Sequence, residues 1–419
     1  MMKQKKPIYF VLCLLAGVCT LSGCIEEYEA DIPDEESHLL VVEGTICSSQ
    51  LNVFYLSRTQ GLNTTNASGR EWGAKVSVRG SDGTEFNAQQ HYDWGIESYH
   101  GNDLEHMPMV TNGGYTCWID TLYPDVEYYL HIEVDGDVYE SVPQKPLPTE
   151  KLVEVRGVQN TPESNINVLV TPEAPINPER TNYYSWTFDE TWEVHSDYTT
   201  TLFFDIATMK CIHKLNQFPE RGWKDGFSKT IMVGASHNYE GQHIKGFKIY
   251  DIDRSNERMF HKYSGLVHQR AITKAEYEYE LARRQAGTEM GGLFTPQPSA
   301  LPSNIHCLTS PNKRVIGFVG CSMNTSERRF FLHAKDFSIY RPPRRDTRWW
   351  LEDCTLEDCK NMVEKGMFLC EWLDERMSPG GQLRTAWAFK YQLDVRSKGA
   401  YIEEPEFWNM EEREGHEDK

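Results

Sequence analysis

The thiol of Cys24 is the side chain whose sequence context points most directly to a reaction. It ends the segment Leu21-Ser22-Gly23-Cys24, in which small residues precede a cysteine at the close of an apolar run. That run begins at Ile8, follows three lysines, and is shorter than the roughly 20 apolar residues that a membrane-spanning helix needs. Residues 1–23 are therefore expected to be a lipoprotein signal peptide, and Cys24 is expected to carry acyl chains that hold the protein on a membrane.

Residues 24–38 are predicted to form an acidic, flexible tether behind the lipidated cysteine. Glu26, Glu27 and Glu29 resemble the surface-export signal of Bacteroidota lipoproteins. This resemblance favours an outer-membrane protein that faces the cell exterior, and a periplasmic orientation is the alternative.

The rest of the chain lacks a recognisable catalytic motif. The segment from Asp251 to Glu257 starts like a calcium loop, but it lacks the central glycine and has Lys262 in place of the bidentate glutamate, so a surface turn is expected. His237 and His243 are interpreted as exposed loop histidines. Serine-hydrolase, metalloprotease and phosphate-loop motifs are absent, and a pair of glycosidase carboxylates cannot be located. We therefore predict no catalytic residue, no cofactor and no metal ligand.

Several tryptophans and one basic segment are candidate binding surfaces. Trp192, Trp223 and the pair Trp349-Trp350 are able to stack on sugar rings, but packing in a core or an interface is the preferred interpretation. The basic segment Arg341-Pro-Pro-Arg-Arg345 is interpreted as a solvated turn, with docking of an acidic partner as the alternative.

The cysteine count favours disulfides if the chain is exported. Of eleven cysteines, eight remain when Cys13, Cys19 and Cys24 are set aside, and an even number in an exported protein is typical of a disulfide framework. A pair in the first third and a pair flanking an expected hairpin are plausible partners. In the last region, two cysteines five residues apart on one expected helix would point about 140° apart, so that a third is the better partner for either. The candidates are Cys47 with Cys117, Cys307 with Cys321, and Cys354 or Cys359 with Cys370.

The charge of the chain argues against nucleic acid as a partner. The formal net charge is −19, and it falls to about −22 without the three lysines of the leader. Aromatic residues make up 12% of the chain, which is enough to form a proper core.

The pattern of elements predicts a mainly β protein. Residues 39–142 contain short, alternating, β-rich runs separated by turns, as expected of a fibronectin-III or immunoglobulin-like β-sandwich. Within it, Leu122-Tyr-Pro-Asp-Val-Glu-Tyr128 resembles a tyrosine corner. Residues 143–150 form a proline-rich linker.

A larger β-rich domain, expected to be a second sandwich, is predicted over residues 151–408. It has short helical insertions near 273–287 and 355–365, each preceded by a capping sequence. Residues 409–419 are expected to be a charged, frayed tail.

Several segments, taken in order along the chain, resemble one known family. They are Leu40 to Ile46, Trp186 to Glu193, Lys262 to Gln269, Gly291 to Ser299, Asn304-Ile305, Arg314 to Phe318, and Glu404-Pro-Glu-Phe-Trp408. Together they are similar to the Bacteroidota outer-membrane lipoprotein family known as domain of unknown function DUF4249. Its members often have a Cys-x-x-Cys-like pair where this chain has Leu393-Asp-Val-Arg396, which weakens any disulfide scheme taken from the family.

The resemblance implies a biological role but does not imply a catalysed reaction. Members of that family are typically encoded beside TonB-dependent outer-membrane transporters, and the family supplies no catalytic residues to carry over. We therefore expect a non-catalytic accessory or ligand-capture partner of a TonB-dependent transporter, with the ligand unknown. An extracellular enzyme that degrades glycans or peptides, and a surface adhesin or structural lipoprotein, are the alternatives.

Overall fold

The computed structural model describes residues 38–59, 69–90, 113–175, 179–228, 231–288, 301–343 and 345–410. Cys24, the three glutamates of the expected export signal, and residues 411–419 of the charged tail lie outside these ranges. The predicted mainly β class is confirmed, since strands dominate the described residues.

The described residues contain 22 strands. They are β1 Leu40–Cys47, β2 Gln50–Arg58, β3 Lys75–Gly80, β4 Glu85–Gln90, β5 Gly114–Ile119, β6 Tyr128–Val134, β7 Asp137–Ser141, β8 Leu152–Gln159, β9 Ile166–Pro172, β10 Tyr183–His195, β11 Leu202–Asp205, β12 Lys210–His213, β13 Arg221–Phe227, β14 Met232–Ala235, β15 Phe247–Ile252, β16 Lys262–Ile272, β17 Ile305–Cys307, β18 Val315–Ser322, β19 Ser326–His333, β20 Trp349–Leu351, β21 Met367–Asp374 and β22 Leu383–Phe389.

The same residues contain three α-helices, which are α1 Lys274–Thr288, α2 Leu356–Glu364 and α3 Lys390–Leu393. The first two confirm the helices predicted near 273–287 and 355–365. Helix α1 follows Thr273, whose Oγ1 accepts a hydrogen bond from the Glu276 amide at 3.1 Å. Helix α2 starts with a complete capping box between Thr355 and Asp358. No helix among the described residues is both long and apolar enough to cross a membrane.

The first sheet is a nearly closed, barrel-like structure. Its nine strands follow the order β17-β7-β6-β3-β4-β5-β2-β1-β18. Strand β4 joins two halves, because it pairs with β3 along most of its length and with β5 only at Gln89 and Gln90. Inward-facing side chains from both halves form one apolar cluster that includes Leu40, Phe54 and Ile132. The β-sandwich expected over residues 39–142 stays a prediction, and the strands of that region lie in this nine-stranded, nearly closed sheet.

Two strands from far along the chain complete this sheet. Strand β18 pairs in parallel with β1, and β17 pairs with β7 at the other end of the strand order. The Asn304 side chain brings the two edges together, since it donates to the Val319 carbonyl at 2.8 Å and accepts from the Val319 amide at 2.9 Å. The predicted hairpin between Cys307 and Cys321 is therefore wrong, and both strands belong to the first sheet and not to the later β region.

The predicted tyrosine corner is confirmed. Tyr128 is 1% exposed, and its hydroxyl accepts a hydrogen bond from the Tyr123 amide at 3.0 Å. The bond ties the loop after β5 to the start of β6. It therefore fixes the connection across the top of the barrel-like sheet.

We expect the variant Tyr128→Phe to lower the free energy of unfolding by about 1–2 kcal/mol, because the Tyr123 amide loses its acceptor. Urea denaturation at equilibrium measures the change. The control is Tyr129→Phe, at the neighbouring half-buried position of β6, which should change stability by less than about 0.5 kcal/mol. Equal losses in the two variants would contradict the role of the corner.

Two further sheets enclose a second core. The five-stranded sheet has the order β13-β10-β16-β19, with β14 also paired to β10, and the three-stranded sheet has the order β15-β9-β8. One face of each sheet contributes to a shared apolar cluster that includes Trp186, Val168 and Val267. The long strand β10 alternates between this core and the opposite, polar side of the sheet.

A smaller unit is formed by two parts of the chain. One is the β11–β12 hairpin, which follows β10, and the other is the region from β20 to β22. Strands β20, β22 and β21 form a sheet that is covered by helix α2 and by the β11–β12 hairpin. Phe204, Met362 and Trp387 lie in its apolar cluster.

Candidate functional site

The side of the five-stranded sheet that faces away from the apolar core carries most of the ionisable side chains of that sheet. Strand register places these residues on one face, because directly paired residues point to the same side. We call this surface the polar face. It consists of Asp189, Thr191, Glu193 and His195 on β10, Arg221, Trp223 and Asp225 on β13, Lys262, Ser264 and His268 on β16, and Glu327 and Arg329 on β19.

The segment from Tyr401 to Trp408, which we call the C-terminal strap, covers the middle of the polar face. Its backbone pairs with Trp223 through Tyr401, and the Tyr401 hydroxyl donates to Asp225 at 3.0 Å. Trp408 is fully buried, with its ring 6.1 Å from that of Trp223 in an edge-to-face arrangement. The Lys262 ammonium lies over the Trp408 ring and donates to its carbonyl oxygen.

Burial by the strap also changes the acidity of groups beneath it. The Asp225 carboxyl loses hydration, which raises its pKa although Thr191 and Tyr401 donate hydrogen bonds to it. Burial also raises the pKa of the Tyr401 hydroxyl, and the nearby Asp225 carboxyl adds to this effect. Asp225 thus accepts hydrogen bonds from two hydroxyl groups beside the strap, although the residue keeps an exposed surface.

Glu193, His195 and His261 form a cluster at one end of the polar face. Glu193 and His195 are two residues apart on β10 and therefore share a side, and His261 immediately precedes β16. A carboxylate oxygen of Glu193 lies 2.6 Å from Nε2 of His195. The imidazole rings of His195 and His261 stack with their centroids 3.7 Å apart, at an interplanar angle of 21°. One ligand atom from each of the three residues lies within 4.8 Å of the others.

Arg221 forms an ion pair with Glu193, the carboxylate of this cluster. Its Nε lies 3.0 Å from Glu193, and its Nη1 lies 3.4 Å from Glu404 of the strap. Burial of Glu193 opposes its ionisation, but the hydrogen bond to His195 and the charge of Arg221 outweigh burial and lower the pKa of Glu193. The cluster therefore contains an ionised carboxylate beside two imidazoles, which is a donor set that is able to bind a metal ion.

A third histidine, His268, lies at the other end of the polar face and is enclosed by carboxylates. His268 Nε2 lies 2.9 Å from Asp189, and Nδ1 lies 2.8 Å from Glu327. Burial opposes protonation, but the two carboxylates outweigh it and raise the pKa of His268 to about 9. The imidazolium thus links β10, β16 and β19.

We expect this imidazolium to make stability depend on pH. Because its pKa rises on folding, its stabilising contribution is complete below the unfolded value of about 6.5 and is lost as the pH rises through about 9. The half-exposed carboxylates reduce the effect, so we expect a difference of about 2 kcal/mol in unfolding free energy between His268→Gln and the parent near pH 6, and little difference above the folded pKa.

Urea denaturation of both proteins at the two pH values checks this result. His306→Gln, at an exposed position of β17, is the matched control and should not differ from the parent protein. A stability difference for His268→Gln that is constant with pH would contradict the charged state of this side chain.

The tryptophans that are candidates for stacking on sugar rings differ in their burial and lie on different sheets. Trp223 is buried beneath Arg221 and the strap, and Trp192 is half-buried beside the apolar core, so both are packing residues. Trp349 is 60% exposed at the start of β20, on a different sheet. Within the described residues, the buried indole N–H groups of Trp192, Trp223 and Trp408 have no hydrogen-bond acceptor.

The other sequence candidates lie outside the polar face. Asp253 accepts bonds from the Ser255 amide and hydroxyl in a local turn, as predicted for the calcium-like segment. His243 lies 2.9 Å from the Pro172 carbonyl, and His237 is exposed on a single 3₁₀ turn. Arg341 donates to the Phe260 carbonyl near the start of β16. None of these residues joins the cluster of Glu193, His195 and His261.

The eight cysteines among the described residues are all thiols in this structure. Cys117, Cys307 and Cys321 lie in the first apolar cluster, whereas the Cys47 thiol contacts Thr325 at 3.6 Å. The separation predicted for Cys354 and Cys359 is wrong, because Cys354 precedes the helix cap and its thiol contacts that of Cys359.

Cys370 is the third cysteine of the last region, and it packs in a different apolar cluster from Cys354 and Cys359. Burial raises the pKa of both Cys359 and Cys370 to about 12.

The sequence interpretation missed the Glu193, His195 and His261 cluster. The alternation of β10 was visible and implies that Glu193 and His195 share a face. The contact with His261 depends on the register between β10 and β16, which no local motif specifies. The same holds for the strap, whose Pro-x-Phe-Trp segment resembles the family's sequences but does not indicate which sheet it covers.

A family model described as a domain of unknown function (DUF4249) matches residues 25–328 of this chain. The match therefore contains Glu193, His195, Arg221 and His261 but ends within β19, before the strap. No curated protein matches the chain. A solved structure of a DUF4785 family protein from Legionella pneumophila is 10% identical, with a TM-score of 0.15, and the similarity covers 55% of this chain and 52% of that chain. A TM-score of that size does not indicate a common fold.

Proposed function

We propose, from the premise that this chain belongs to the DUF4249 family, that it is a lipid-anchored outer-membrane lipoprotein on the cell surface. In this proposal it is a non-catalytic accessory or ligand-capture partner of a TonB-dependent transporter. The observation that carries the proposal is the segment Leu21-Ser22-Gly23-Cys24 at the end of an apolar leader.

The anchoring step is supported by the chemistry of that segment. A thioether-linked diacylglycerol on Cys24 contributes about 0.8 kcal/mol for each buried methylene, so that two or three acyl chains bind a bilayer stably. The acidic residues Glu26, Glu27 and Glu29 follow directly and support export to the surface. A net charge of about −22 without the leader keeps such a body from binding anionic lipid or nucleic acid non-specifically.

The partner role is supported by the family resemblance and by the type of scaffold. Rigid sheets that present loops are suited to binding a ligand or covering a transporter pore. The described body combines a barrel-like sheet and a two-sheet core with long connections between strands.

Anchoring is tested by intact-mass measurement of the protein from membranes of a Bacteroidota host. We expect the processed chain to begin at Cys24 and to carry acyl chains, and Cys24→Ser to remove both processing and detergent-phase partitioning. The matched control is Cys13→Ser, which changes a leader cysteine that the peptidase removes. A mature amino terminus without acyl chains would refute the anchor.

Orientation is tested by treating intact cells with a protease. Replacing Glu26, Glu27 and Glu29 with glutamine should protect the protein from cleavage if they direct export. The control replaces Asp34, Glu35 and Glu36 with their amides, which removes the same charge farther from the cysteine. Cleavage that is equal in both variants would contradict the export signal.

Partnership is tested by isolating the protein from detergent-solubilised membranes. Co-purification of a large β-barrel transporter supports the proposal, and recovery of the lipoprotein alone counts against it. Turnover of a polysaccharide or peptide by the purified protein would favour an enzyme, and adhesion to matrix proteins without a transporter would favour an adhesin.

Export would also oxidise the Cys354 and Cys359 thiols, which already contact one another. The two thiols would lose two protons and two electrons to an exported disulfide oxidant and form one S–S bond. Mass mapping of the protein from its native compartment should find these two cysteines linked and Cys370 reduced. A free thiol at Cys359 in the exported protein would refute this pairing.

A further inference from the structure

We infer that Glu193, His195 and His261 bind one divalent transition-metal ion of the zinc class, through one carboxylate oxygen and two imidazole nitrogens. The site lies within one chain and does not require a transporter partner. It starts from the convergence of three ligand atoms that lie within 4.8 Å of one another.

The geometry requires only a small rearrangement. A tetrahedral ion with ligand bonds of about 2.0–2.2 Å keeps its ligand atoms about 3.4 Å apart. The carboxylate of Glu193 and Nε2 of His195, now 2.6 Å apart, must separate by somewhat less than an ångström. The stacked ring of His261 must rotate so that its nitrogen points toward the same ion.

The donor set selects the class of metal. Imidazole nitrogen suits zinc, copper, nickel and iron, whereas calcium and magnesium prefer sites composed of oxygen ligands. Three protein ligands leave one position of a tetrahedral ion for water or for a ligand. The His195 side chain is 40% exposed, so that the position is accessible from solvent.

The surrounding charges favour a cation at this place. Asp197 and Glu404 add two carboxylates to that of Glu193, while Arg221 and Lys398 supply two positive charges. These five side chains therefore carry a net charge of −1 when the two imidazoles are neutral. Arg221 already spans Glu193 and Glu404, so it keeps an ion-pair partner when a metal takes the Glu193 carboxylate.

Backbone contacts hold the ligands in place. The His261 carbonyl accepts from the Ala334 amide at 2.9 Å, and the His195 carbonyl accepts from the Lys398 ammonium at 3.2 Å. The two histidines are thus fixed by different neighbours, the 3₁₀ turn that follows β19 and the segment after α3. Both bonds are to backbone carbonyls, so they fix the two chain segments that bring the imidazoles together.

The test is a titration of the full chain, purified in detergent without a polyhistidine tag, with Zn²⁺ by calorimetry and with Co²⁺ by visible absorption. We expect one ion for each chain and, for Co²⁺, the intense visible bands of a tetrahedral site. His261→Ala and His195→Gln should each weaken Zn²⁺ binding by more than about 100-fold, since even an outer partner of a metal ligand is worth about 10- to 100-fold.

His237→Ala, which removes an exposed histidine from a different surface, is the matched control and should bind as the parent does. Far-ultraviolet circular dichroism and metal-free unfolding midpoints verify that each variant is folded. Absence of Zn²⁺ binding by the parent protein, or binding that both histidine variants retain, would overturn the site and leave the cluster as an ion-pair network.

Discussion

The variant Gly317→Ala is expected to lower the free energy of unfolding by more than about 4 kcal/mol, because its side chain has no space beside β1. Gly317 pairs with Val42 in the parallel register of β18 and β1. Its φ is +119°, and a Cβ built on it would lie 1.8 Å from the Val42 carbonyl oxygen. Backbone strain alone costs about 1–3 kcal/mol at such a φ, and the contact with a fixed backbone oxygen adds to it.

Gly83→Ala is the matched control for this prediction. Gly83 has a φ of +90°, but a Cβ there would meet nothing within 4 Å, so that its cost is the strain alone. Equilibrium denaturation of both variants separates the steric contact from the strain. If Gly317→Ala were no more destabilising than Gly83→Ala, the parallel pairing of β18 with β1 would be refuted.

The second large effect is expected at the C-terminal strap. Trp408→Ala should lower the unfolding free energy by about 3–5 kcal/mol, because it leaves a cavity against Trp223 and removes the ring beneath Lys262. Loss of the strap contact would also uncover the polar face, and limited proteolysis should then cleave near Tyr401 in the variant before the parent protein is cleaved.

Trp349→Ala is the matched control for the strap, since it removes the same side chain from a position that is 60% exposed. It should cost less than about 1 kcal/mol. Similar losses for the two tryptophan variants would show that the strap does not pack on the sheet as described.

Local elements could be predicted from the sequence because their causes are local. The capping residues Thr273 and Thr355 lie immediately before helices α1 and α2, and the pattern from Leu122 to Tyr128 forms the expected corner. In each case the side chain and the backbone group that it satisfies are at most a few residues apart.

Pairings between distant segments could not be predicted in the same way. The run from Arg314 to Val319 is rich in β-branched and aromatic residues, which favours a strand, but its partner β1 lies early in the chain. A hydrophobic run is able to pair with several neighbouring strands. Its actual partner depends on how all the strands of the sheet are arranged. Assigning this strand to the later β region was the consequence.

The amino-acid sequence alone determined the mainly β class, the two longer helices and the family, because each depends on composition or on neighbouring residues. Only the tertiary structure decided that Glu193, His195 and His261 meet and that the strap covers the sheet beside them. Those contacts arise from strand register and from chain closure over long separations. Their residues carry no short-range signal that distinguishes them from ordinary surface side chains.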